Sequence, residues 1–196
     1  MKLIKFITIK MHSGNISIIG KPNVGKSTLF NLLINKHLAG ATNKPQTTRH
    51  KIDGVLNENK VEYLFVDTPG LNFNIKKDFN RILNKNALSA VYEADVILHL
   101  VNYNEIDNDD IKVIENIKEL DSPKLLVLNK IDLDTNKNKL PEILLNIPKR
   151  IIDIYDEIIP ISSKKSKNVS KLKKIIKGLL PEDKENNYKG IISNRP

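Results

Sequence analysis

Residues 20–27 read GKPNVGKS: one glycine, four other residues, then Gly-Lys-Ser. This spacing suits a polyphosphate. Gly20 and Gly25 let the backbone turn without Cβ clashes, so that successive loop N–H groups face anionic oxygens. Lys26 reaches toward the outer phosphates, and Ser27 offers its hydroxyl to Mg2+. Lys21, Pro22, Asn23 and Val24 fill the loop between the glycines, and Thr28 follows the hydroxyl residue. The bland alternative is a glycine-rich turn that holds no ligand.

Three more polar stretches stand at the ends of apolar runs. VDTPG carries Asp67, Thr68, Pro69 and Gly70. An aspartate there can hold Mg2+ through a water, and a glycine N–H can sense the terminal phosphate. By itself Asp-Thr-Pro-Gly is also a good turn sequence. LNKID carries Asn129, Lys130 and Asp132. A carboxylate at Asp132 can accept two hydrogen bonds from one edge of guanine, whereas adenine would leave it unpaired, a mismatch worth ~10⁴ in discrimination. PISSKKS completes a base site: the Ser163 N–H would meet the guanine carbonyl oxygen, the Lys164 stem would cover the ring, and Ser162 precedes them.

The elements that must position these residues alternate along the chain. NISIIG reads as a buried strand beginning at about Asn15, and KSTLFNLLIN as a helix whose N-terminus faces the phosphates. A polar loop follows, then a hairpin with its turn at 57–60 and its second strand ending at Asp67. Helical periodicity returns over residues 76–93, with Phe79, Ile82, Leu83 and Ala90 on one side. DVILHLV is a buried strand, NDDIKVIENIKEL a helix capped by Asn108, and KLLVLN another strand. A helical region interrupted at Pro148, the strand EIIPIS and the helix VSKLKKIIKGLL complete the series. Strands alternating with helices predict a mainly parallel sheet covered on both faces. In such sheets ligands sit at the carboxyl ends of the strands, where all four polar signatures fall.

Composition bounds the function. The 196 residues suit one α/β domain with a short appendage, and 40% apolar with 28% charged is ordinary for a globular chain. With no cysteine, disulfides, thiol catalysis and thiolate metal sites are excluded. Lysines at positions 2, 5 and 10 interrupt the first apolar run, so no signal peptide is expected, and Met11 is a second candidate start. No run is long enough for a membrane span. The net charge of +9 comes from 28 Lys against 4 Arg, beside 24 Asn and 28 Ile, a bias that fits AT-rich codons, so basic charge alone leaves an anionic partner and scattered surface charge equally open. The histidines at 12, 37, 50 and 99 lack metal-ligand spacing.

Taken in order, the motifs resemble the GTPase domain of the Era family of bacterial ribosome-assembly GTPases. GKPNVGKSTL, KPQTTRH, DTPGL, NKID and PISSKKSKNVSKL match that family's pattern, and so does NRILNKNALSAV, which has no nucleotide role. The resemblance implies a P-loop NTPase three-layer sandwich: a mainly parallel six-stranded sheet with one antiparallel strand and helices on both faces. It places a GTPase domain over residues 14–181, an N-terminal extension at 1–13 and a linker at 182–196 that leads, in the family, to a K homology RNA-binding domain. The expected G-x-x-G loop of such a domain is not among the 196 residues.

The resemblance also implies roles. Thr48 of the first switch joins Ser27 and Asp67 on Mg2+, Lys26, Thr48 and Gly70 serve hydrolysis, and Asn23 is associated with a K+ ion near the phosphates. Leu71 stands where many small GTPases place a water-orienting glutamine, so slow intrinsic hydrolysis is expected. Arg49 is read as a surface arginine in preference to an arginine finger. Ser163 departs from the family's usual alanine, which a backbone contact tolerates. The implied partners are GTP or GDP, the small ribosomal subunit and its rRNA, for a monomer in the cytoplasm with peripheral association at the inner face of the cell membrane. Two other readings stay open: a related GTPase such as a tRNA-modification type, and a GTP-binding scaffold that no longer hydrolyses.

Overall fold

The apolar run before the glycine loop forms β1 (His12–Ile19), the strand around which the sheet is built. On one side it pairs in parallel with β3 (Val61–Asp67), and on the other with β4 (Val96–Asn102). β5 (Lys124–Asn129) and β6 (Glu157–Pro160) continue in parallel, while β2 (Gly54–Glu58) pairs antiparallel with β3. The order β2-β3-β1-β4-β5-β6 is the six-stranded sheet with one antiparallel strand that the sequence implied. The computed structural model describes residues 12–34, 54–58, 61–67, 91–135 and 139–182.

Side chains alternate through the sheet into two cores. Ile16, Ile18, Phe65, Leu98, Leu100, Leu125 and Val127 pack beneath α1 (Lys26–Ile34) and α5 (Val169–Leu179), which contribute Leu29, Leu33, Leu172 and Ile176. Ile19, Ile97, Val101, Leu126 and Leu128 face α2 (Asn108–Ile117) and α4 (Lys149–Ile152), which contribute Val113, Ile114, Ile117 and Ile151. α3 (Lys139–Asn146) covers the second core with Leu140, Ile143 and Leu144. β4 and β5 are buried on both faces, which is why they read as continuous apolar runs. Each fully buried Leu, Ile or Val stabilises the sheet by roughly 1.5–3 kcal/mol relative to exposure. Among the described residues no helix is long and apolar enough to cross a membrane.

Several boundaries differ from the sequence reading. β1 starts at His12 rather than Asn15, because the register with β3 runs from His12↔Val61 and recruits residues that carry no apolar alternation. The His12 ring Nδ1 also lies 3.2 Å from the Leu180 carbonyl. The hairpin ladder extends through Asn57↔Glu62 to Glu58↔Val61, so the first half of the turn read over 57–60 belongs to β2, and residues 59 and 60 lie outside the described residues. α2 is capped by Asp107, not Asn108: Asp107 has extended backbone angles and accepts from the N–H groups of Asp109 and Asp110, and Asp110 supplies the reciprocal half of a capping box. Pro148 precedes the first residue of α4 with φ −57° and so separates α3 from α4. Of the helix read over 76–93, only residues 91–93 lie within the described residues, and Val91 is buried in the second core.

Candidate nucleotide site

The carboxyl ends of β1 and β3 lie side by side, with Ile18 opposite Asp67, as do those of β4 and β5, with Asn102 opposite Asn129; β4 runs three residues past the end of β1, where Ile19 lies opposite His99. From β1 the chain goes to strands on one side, and from β4 to strands on the other. That makes β1 and β4 the switch point at which open α/β sheets leave a crevice.

The loop 20–25 fills this crevice. Gly20 has φ +144°, and a Cβ there would stand 2.3 Å from the Leu100 carbonyl oxygen. Gly25 has φ +103°, and its Cβ would meet Asn129 Nδ2 at 2.4 Å. Both positions therefore exclude any side chain, for reasons of backbone angle and of space. Asn23 also takes a left-handed conformation, φ 64°. Lys26, buried at the start of α1, folds its ammonium back onto the Gly20 and Lys21 carbonyls, 2.9 Å from each. Ser27 and Thr28 are exposed in the first turn of α1, while Val24 is buried.

The second half of the site comes from β5 and the segment after β6. Asn129, 2% exposed, donates from Nδ2 to the Val24 carbonyl at 2.8 Å. Its Oδ1 accepts from both the N–H and the hydroxyl of Ser163, each at 3.0 Å. The amide assigned from sequence to a base carbonyl is thus engaged with Asn129 here. Lys130, left-handed at φ 68°, reaches the Asn23 carbonyl at 2.6 Å. Asp132 is held by the Ser162 hydroxyl at 2.6 Å, and that hydroxyl accepts from the Lys165 N–H at 3.0 Å. Lys164 is exposed. The loop 20–25 and the segments that follow β5 and β6 are therefore one hydrogen-bonded unit.

Asp67 ends β3 beside β1; Thr48, Thr68, Pro69, Gly70 and Leu71 lie outside the described residues. A hydroxyl at Ser27 and a carboxylate at Asp67, supplemented by phosphate oxygens and water, are the hard oxygen donors that suit Mg2+. The donor chemistry fits the ion.

Sequence reasoning missed the groups that hold these residues. Lys21 forms ion pairs with Asp107 and, at 3.0 Å, Asp110. Burial alone lowers the Lys21 pKa, but hydrogen bonds to the two carboxylates outweigh it and raise the ammonium above its usual value. Burial pushes Asp110 up, whereas for Asp107 the Lys21 contact and backbone donors overcome burial and bring it down. His99, fully buried in β4, bonds through Nδ1 to the Tyr155 hydroxyl at 2.6 Å. Burial, helped by the positive charges of Lys26 and Lys21, lowers its pKa to about 3, so the ring is neutral. The Asn102 Oδ1 is buried without a partner among the described residues. Only Asp107, an acidic residue at a helix start, carried a local signal.

The profile of a family described as 50S ribosome-binding GTPase matches residues 15–130. GTPase Era of Vibrio vulnificus strain YJ016 is 34% identical over 171 residues, covering 87% of this chain and 53% of that protein. A crystal structure of Era in complex with MgGDPNP and nucleotides 1506–1542 of 16S ribosomal RNA superposes with a TM-score of 0.75 at 38% identity, covering 89% of this chain and 59% of that one. An Aquifex aeolicus Era variant bound to GDP·AlF4− gives 0.77 at 35% identity, covering 95% and 63%. The chain thus spans about half the length of the curated relatives it matches. With the profile covering more than half of its residues, the chain belongs to the 50S ribosome-binding GTPase family, and it is similar within it to the GTPase domain of Era.

Proposed function

We propose that this chain binds GTP and GDP with Mg2+, hydrolyses GTP, and acts as a nucleotide-gated switch in assembly of the small ribosomal subunit. The observation that carries the reading is Asn129, whose single amide joins the phosphate loop at Val24 to the base segment at Ser163. A site with those two halves tied together matches a ligand that has both a polyphosphate and a base.

In this reading the loop N–H groups and Lys26 hold the β- and γ-phosphates, the Lys26 ammonium keeping its loop carbonyls while its remaining donor reaches phosphate oxygen. Asp132, oriented by Ser162, accepts from guanine, and Ser163 shares its N–H between Asn129 and the guanine carbonyl oxygen. Lys164 covers the ring. Ser27, Thr48 and Asp67 would hold Mg2+, which would supply positive charge to the phosphates. Thr68, Pro69 and Gly70 read the terminal phosphate, and Leu71 supplies no hydrogen bond to the attacking water. A K+ ion beside Asn23 belongs to the same reading, supported by that residue's exposed, left-handed place in the loop. So do a GTPase domain over 14–181 with a following linker, a monomeric state, and a cytoplasmic setting with peripheral contact at the membrane.

Phosphate release tests the enzyme: turnover with GTP and Mg2+ but not with ATP supports it, and binding without release points to a scaffold. Co-sedimentation with small ribosomal subunits, dependent on GTP, tests the partner. The Era structure with 16S rRNA supports that choice.

A further inference from the structure

The two carboxylates that cap α2 have a second set of contacts. Asp107 Oδ1 accepts from the N–H groups of Asp109 and Asp110 at 3.0 and 3.1 Å, and Asp110 Oδ2 accepts from the Asp107 N–H at 3.1 Å. These bonds alone complete the capping box. Yet Asp107 Oδ2 and Asp110 Oδ2 also receive the Lys21 ammonium, the latter at 3.0 Å. Lys21 is the second residue of the phosphate loop and lies 86 residues before Asp107 in sequence.

This cluster differs from an ordinary surface pair. The Lys21 side chain is 14% exposed and that of Asp110 has no exposed surface. Exposed ion pairs contribute little, but removing the cation from a buried carboxylate leaves an uncompensated charge. The main chain of the same residue meets the phosphate-binding lysine, because the Lys21 carbonyl accepts from Lys26 Nζ at 2.9 Å. A continuous path therefore runs from the start of α2, through the Lys21 side chain and carbonyl, to the Lys26 ammonium. The ammonium of Lys21 is itself committed to two carboxylates, so it is not a spare phosphate ligand.

We infer that Lys21 is a positioning residue: its tether to Asp107 and Asp110 holds the phosphate loop in its binding shape and stations Lys26, and so sets affinity for the polyphosphate of a nucleoside di- or triphosphate. This inference rests on the nucleotide reading of the loop and deepens it. The same loop shape serves the diphosphate, the triphosphate and the reacting complex. Loosening it removes binding common to all of them, which raises the dissociation constants of GDP and GTP in parallel and costs affinity more than turnover at saturation. A merely structural salt bridge behaves differently: its loss lowers the melting temperature while the folded fraction keeps its affinity.

The test is equilibrium binding of GDP and GTP, and saturated turnover, on the full chain with Lys21→Met, Lys21→Arg, Asp110→Asn and the double variant Lys21→Met/Asp110→Asn. Lys21→Met should weaken GDP and GTP by about tenfold or more and by similar factors, with affinity falling by a larger factor than turnover at saturation. Lys21→Arg should restore most of the affinity, because a guanidinium can serve both carboxylates. The double variant should be no weaker than the sum of the single effects predicts and closer to Lys21→Met alone, as coupled partners behave. If Lys21→Met does not fold, Asp107→Asn keeps the capping oxygen, removes one charge from the tether, and should weaken GDP and GTP by the same factor as each other. Unchanged GDP affinity in a folded Lys21→Met or Asp107→Asn protein, or a loss confined to turnover, overturns the inference. Failure of the unaltered chain to bind either nucleotide overturns the underlying reading instead.

Discussion

Asn129 Nδ2 donates to the Val24 carbonyl at 2.8 Å across 105 residues of sequence. With its Oδ1 occupied by Ser163, this one buried amide joins the loop 20–25, the end of β5 and the segment after β6. Asn129→Ala leaves the Val24 carbonyl and the Ser163 donors without their partner. The expected cost is about 1–3 kcal/mol of stability for each group left buried and unsatisfied. Nucleotide affinity should fall by more than tenfold as both halves of the site loosen. Denaturant titration and nucleotide titration check the two effects, and an unaltered nucleotide affinity would contradict the bracing role.

Asp132 is aligned by the Ser162 hydroxyl at 2.6 Å. Asp132→Asn should weaken GTP strongly and favour xanthine nucleotides, since an amide can donate to the 2-oxo group that replaces guanine's amine. Competition between GTP and XTP reads the switch directly. Equal GTP affinity in mutant and parent would remove Asp132 from the base site. Ser162→Ala should shift GTP affinity in the same direction but less, because it alters only the orientation of the carboxylate.

Lys26 and Leu71 should separate binding chemistry from water positioning. Lys26→Ala removes the cation that rests on the loop carbonyls and should cripple nucleotide binding or hydrolysis, by about 10²-fold or more in turnover efficiency. Leu71→Ala should disturb hydrolysis far less, since leucine offers no hydrogen bond to lose. Steady-state phosphate release with both variants makes the comparison. A collapse of turnover in Leu71→Ala with binding intact would mean that its apolar side chain positions the water.

His99 gives the fold a pH dependence of definite sign. Its pKa is about 3 in the folded chain and about 6.5 when unfolded, so between those values the unfolded state binds the extra proton. Stability from the neutral ring is present above pH 6.5 and is lost as pH falls toward 3, at a slope of up to roughly 1.4 kcal/mol per pH unit. His99→Gln, which keeps a polar partner for the Tyr155 hydroxyl, should flatten that part of the profile. Urea midpoints for parent and variant between pH 7 and 5 decide it, and parallel profiles would show that His99 is not the group responsible.

The strand alternation and the glycine turn after β1 were legible because each depends on chemistry within a few neighbouring residues. A glycine pair permits the turn at Gly20 and Gly25, and β4 and β5, apolar on both faces, announce their own burial. The bracing of the site was not legible. Lys21 meets Asp107, Asn129 meets Val24, and Ser162 meets Asp132 only because the parallel register sets the ends of β1, β4, β5 and β6 beside one another. The same cause moved the start of β1 to His12, where ladder pairing with β3 recruits residues that have no strand pattern of their own. Asp107 and Asn108 are both good helix caps by type, and Asp107 is the one that has Asp110 three residues on to complete a capping box. Local spacing specifies what a residue can bind; which carboxylate or carbonyl stands opposite it depends on sheet register, a property of the whole chain that no short stretch encodes.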